Sequence, residues 1–172
     1  MASLIENLIS ILDAENQEYE ILLELSKKKT PVLVKGDLDA LREIVEQEQF
    51  YADKVANLEK MRMEVVTDIA TVLNKEVNTL TVRTIIQLLK GQDKEQRELS
   101  QVHDKLKRTL KDMVVINDRN KELIQNSLEM VQFEINLINS ARQIPETANY
   151  TKDAYSASSI VPGRTGGFDT KQ

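Results

Sequence analysis

"DKEQRELSQVHDKLKRTLKDMVVINDRNKELIQNSLEMVQFEINLINSAR", residues 93–142, contains neither glycine nor proline. Nothing in it stops a helix, and about 50 residues at a rise of ~1.5 Å make a rod of roughly 75 Å. At ~100° per residue, Leu99, Val102, Leu106, Leu110, Met113, Asn117, Asn120, Ile124, Ser127, Val131, Ile135 and Ile138 fall on one arc. That arc predicts the seam of a helical bundle, with Asn117 and Asn120 as polar positions that fix helix register. Beyond residue 113 a second arc opens, rotated by about a third of a turn. Ile116, Leu123, Met130 and Leu137 recur every seven residues along it, with Val115 and Phe133 beside them. The remaining side is polar, with Asp118, Gln125, Glu129, Gln132 and Asn136. A helix that turns apolar over most of its surface is either enclosed by more neighbours there or open to a partner. Met130 and Phe133 suit an adaptable binding surface.

Breakers upstream divide the rest of the chain. "SLIE" at residues 3–6 has the form of a capping box, and Leu4, Leu8, Ile11, Glu15, Tyr19 and Leu22 follow at helical spacing. Pro31 disfavours helix at the residue before it, so the first helix is expected to end near Lys29. Gly36 precedes Asp37, an N-cap whose carboxylate can accept the free amides of a second helix. Leu38, Leu41, Val45, Glu48, Ala52, Val55, Leu58, Arg62, Val65, Ile69 and Val72 then keep a 3.5-residue period, interrupted by Glu48 and Arg62. A turn is expected near residues 74–81, followed by a short helix, "VRTIIQLLK", up to Gly91. The predicted fold is all-α. It is an antiparallel bundle of three long helices and one short one, over residues 3–29, 37–73, 82–90 and 93–142, in a domain spanning 1–144. Residues 145–172, rich in Ser, Thr and Gly, cannot build a core and are expected to form a flexible tail with Tyr150 and Tyr155 as anchors.

Composition limits the chemistry. The 172 residues carry 28 Asp+Glu against 23 Lys+Arg, a net charge of -5, which argues against a nucleic-acid partner. With no cysteine and one histidine, disulfides and Cys/His metal sites are excluded, and no cofactor or catalytic residue is expected. The first twenty residues lack a basic n-region, and no apolar run approaches the ~20 residues of a membrane span, so a soluble cytoplasmic protein is expected. A di-iron bundle needs Glu-x-x-His pairs, whereas Ser100 stands three residues before His103. "SQVHDKLKRTL" raises a histidine phosphotransfer domain as one alternative, with Lys105, Lys107 and Arg108 near His103. Against it, Leu106 and Lys107 occupy the places where that family has Lys and Gly. A structural coiled-coil protein that dimerises through the second arc is another alternative.

The pattern resembles the FlgN-like flagellar export chaperones. In the first half the likeness rests on "LLELSKKKTPVLVKGDLDALREIVEQEQFYADKVANLEKMR", with Glu15, Tyr19, Glu48 and Arg62. In the second half it rests on "INDRNKELIQNSLEMV", where Asn117, Asn120 and Leu123 are similar to that family's Asn-x-x-Asn-x-x-Leu segment. The resemblance implies a non-enzymatic chaperone that holds hook-associated (hook-filament junction) proteins in the cytoplasm and delivers them to the cytoplasmic domain of the export gate. It implies no small-molecule substrate. The angular pattern, and not the family, nominates Ile116, Leu123, Met130, Phe133 and Leu137 as the client-binding residues. Tyr150 and Tyr155 are nominated as tail contacts to client or gate.

Overall fold

A computed structural model describes residues 2–89 and 91–142. The proposed tail with Tyr150 and Tyr155 lies outside the described residues. Among the described residues there are three long helices and a short one: α1 (Ala2–Lys35), α2 (Leu38–Leu73), α3 (Val82–Leu88) and α4 (Asp93–Arg142). The chain divides into two units between Met130 and Val131, and the second unit is described as far as Arg142, the end of α4.

The first turn between helices is set by backbone chemistry. Gly36 sits at φ +68°, where its amide donates to the Leu33 carbonyl and that of Asp37 to the Val32 carbonyl, both at 3.2 Å. This Schellman closure satisfies the last carbonyls of α1. Asp37 at once caps α2, accepting from the Ala40 amide at 3.1 Å. The same closure ends α2, with Asn74 at φ 50° in place of glycine and the Lys75 amide on the Ala70 carbonyl at 2.9 Å. A single 3-10 turn (Val77–Thr79) leads to Thr81, which caps α3 by accepting from the Thr84 amide at 3.1 Å.

One boundary differs from the sequence expectation. α1 does not stop near Lys29 but continues through Pro31 to Lys35. Proline withholds the amide that would bond the carbonyl four residues back, and its ring crowds that carbonyl. That carbonyl belongs to Lys27, an exposed residue. On the other side of the helix, Thr30 and Ser26 are tied to α4, so the turn around Pro31 is held from outside.

The apolar core lies at one end of the first unit. Ile5, Leu8, Ile11 and Leu12 of α1 pack with Val65, Val66, Ile69 and Ala70 of α2 and with Leu99, Val102 and Leu106 of α4. Leu80, Ile85 and Leu89, on and around α3, close over them. Burial at ~25 cal/mol per Å² of apolar area makes this cluster the main source of stability.

Candidate functional site

Past the apolar core, the interface between α1 and α4 becomes polar. Thr109 donates its hydroxyl to the buried Asn16 Oδ1 at 2.8 Å. Asn120, also buried, donates through Nδ2 to the Ser26 carbonyl at 2.8 Å and accepts from the Thr30 hydroxyl at 2.7 Å. The Ser26 hydroxyl donates to Asn117 Oδ1 at 3.0 Å. Each buried polar group here has a partner, which avoids the ~1–3 kcal/mol that an orphan would cost. Beside this ladder a groove of about 490 Å³ opens between α1, α2 and α4. Leu22, Val45, Ala52, Met113 and Ile124 give it an apolar lining, and the Lys29–Glu48 ion pair stands at its edge.

A second polar contact ties α1 to α2. Glu15 is buried, with Oε1 3.1 Å from Arg62 Nε, an ion contact rather than a well-aligned hydrogen bond. Burial pushes the Glu15 carboxyl above its usual range, and the Arg62 charge only partly opposes this. Tyr19 donates to Glu59 Oε1 at 3.4 Å, and its phenol is likewise raised, first by burial and then by the Glu59 charge.

The ladder revises the seam of α4. The inward row runs Leu99, Val102, Leu106, Thr109, Met113, Ile116, Asn120 and Leu123, each buried or half-buried. Leu110, Asn117 and Ile124, expected on the seam, are exposed, while Ile116 and Leu123, expected on the second arc, are half-buried. Thr109 takes the inward place instead of its apolar neighbour Leu110 because Asn16 offers it an acceptor. An apolar periodicity cannot register that choice. Of the five nominated client residues, Met130 is 65% exposed in the first unit. In the second unit Phe133 and Leu137 are 66% and 59% exposed. Val114, Val115 and Leu128 are exposed apolar residues that the five omitted.

His103 is half-buried, with Nδ1 3.4 Å from the carboxylate of its neighbour Asp104. Among the described residues no helix is long and apolar enough to cross a membrane.

A family model described as FlgN protein matches residues 1–157. The "Uncharacterized protein YvyG" of Bacillus subtilis (strain 168) is 27% identical over 132 residues, covering 77% of this chain and 76% of that protein. No solved structure matches the chain.

Proposed function

The chain belongs to the FlgN family of flagellar export chaperones, and from that premise we propose that it acts in the cytoplasm on the C-terminal segments of hook-associated proteins. Such segments form amphipathic helices once assembled, and free ends would pair with one another too early. Covering them prevents premature assembly, and delivery to the cytoplasmic domain of the export gate completes the task. Ile116, Leu123, Met130, Phe133 and Leu137 are the residues assigned to the client. Tyr150 and Tyr155 are assigned to contacts with client or gate.

One observation carries the reading: α4 displays large apolar side chains to solvent, including Val114, Val115, Leu128 and Met130, far beyond what its own packing uses. An apolar face of this kind marks an interaction surface. A client helix laid along it would bury side chains worth about 1.5–3 kcal/mol each when fully covered. Association and ordering of the client subtract from that sum, so the complex can form tightly and still release. Recognition of this type is helix-in-groove binding, with anchors spaced three, four and seven residues apart.

The test is light scattering after size exclusion, with and without a peptide from the C-terminal end of a hook-associated protein. A discrete mixed complex is expected. A tight homodimer that ignores the peptide would overturn the reading and make the α4 face an oligomer interface.

A further inference from the structure

Phe50 and Tyr51 stand side by side on α2, and Phe50 is 58% exposed although the chain has few aromatic residues. The rings meet edge to face, with centroids 5.2 Å apart and planes at 79°. Helical side chains lean toward the N-terminus, so the two rings lie over the turn that carries Glu46 and Gln47. With Glu43 these residues line a groove of about 420 Å³.

The charges around this groove are unevenly matched. Lys54 lies over both rings, with Nζ 4.8 Å from the Phe50 centroid and 4.9 Å from that of Tyr51. The same ammonium is 3.5 Å from Glu18 of α1, so the molecule's own cation is held on that side. Glu43 and Glu46 form no ion pair among the described residues. Two carboxylates and two aromatic rings therefore share a groove whose lining contains no cation. A ring attracts cations on either face, and Lys54 demonstrates the attraction here.

From this complementarity we propose that the groove of Glu43, Glu46, Phe50 and Tyr51 is a docking site for an arginine side chain on a basic segment of a partner protein. Arginine fits better than lysine because its flat guanidinium stacks on a ring while its N–H fork engages a carboxylate. None of these residues belongs to the α4 face, so the proposal stands or falls separately from client binding.

The experiment uses the full chain, labelled with nitrogen-15 and titrated with a blocked alanine peptide that carries two arginines four positions apart. Amide shifts should saturate and centre on residues 43–51. Phe50→Leu should weaken binding about three-fold, the share of one exposed cation–π contact. Glu43→Gln with Glu46→Gln should weaken it by about ten-fold, as loss of charge-assisted hydrogen bonds requires. The matching lysine peptide should bind less tightly than the arginine peptide. Shifts spread over the whole acidic surface, equal binding of the lysine peptide, or variants that bind like the parent would each overturn the proposal. Phe50 and both glutamates are exposed, so helicity should be unchanged in the variants. A fall in helicity would show that this face is structural and would also overturn it.

Discussion

Asn120 of α4 donates its side-chain amide to the Ser26 carbonyl of α1 at 2.8 Å, bridging 94 positions of the chain. Its oxygen meanwhile accepts from Thr30 at 2.7 Å. Asn120→Ala should cost about 1–3 kcal/mol, because it removes one buried and one part-buried bond and leaves the Thr30 hydroxyl only its long 3.4 Å contact with the Ser26 carbonyl. Combining it with Thr30→Val should cost less than the sum of the two single changes, since both delete the same bond. Urea unfolding of the four proteins measures the coupling, and strict additivity would deny that the pair interacts.

Glu15 makes stability depend on pH. Its native carboxyl binds its proton more tightly than the ordinary value of 4.5, because burial disfavours the charge. Its contribution is therefore fully present below that ordinary value and is lost as pH rises through the raised native value. Glu15→Gln, which cannot ionise, should show no such loss. The melting temperature of the parent should fall relative to the variant as pH rises from about 4.5 toward neutrality. The opposite slope would mean that Arg62 outweighs burial.

Met130 and Leu123 should part company under the same substitution. Met130 is exposed, so Met130→Glu should change stability by less than about 0.5 kcal/mol while weakening client binding at least about ten-fold. Leu123 is half-buried beside the polar ladder, so Leu123→Glu should cost about 2 kcal/mol as well as weakening binding. Thermal melts and peptide titrations on both variants give the comparison. A destabilised Met130→Glu protein would show that this part of α4 is core.

Pro31→Ala should raise stability by about 2 kcal/mol. It restores an amide to the Lys27 carbonyl inside α1, less the smaller benefit that proline confers by stiffening the unfolded chain. Melting by circular dichroism is the readout, and a loss of stability would mean that the ring itself is packed.

The helices were legible where breakers and periodicity speak the same language. Gly36 with Asp37 marks one junction, and the long run without glycine or proline marks α4. Pro31 misled because its local preference is overruled by ties from Thr30 and Ser26 to a helix about 90 residues away, as the separation of Thr30 and Asn120 shows. The seam of α4 was misjudged for a related reason. Thr109 earns its inward place through Asn16, a partner on another helix that no one-helix projection contains. The polar ladder and the α2 groove were likewise unreadable, because each depends on side chains meeting across turns or across helices.

The split between an apolar end and a hydrogen-bonded end gives the bundle two responses to temperature. The cluster around Leu8, Ile69, Ile85 and Leu99 draws on a hydrophobic driving force that weakens on cooling. The ladder of Asn16, Thr109, Ser26, Thr30 and Asn120 adds hydrogen bonds that do not draw on that force, beside the buried Leu22, Leu23 and Leu25 of α1. Cooling should therefore weaken the cluster more than the ladder. The ladder thus gives α4 a hold on α1 that does not rest on the hydrophobic effect alone.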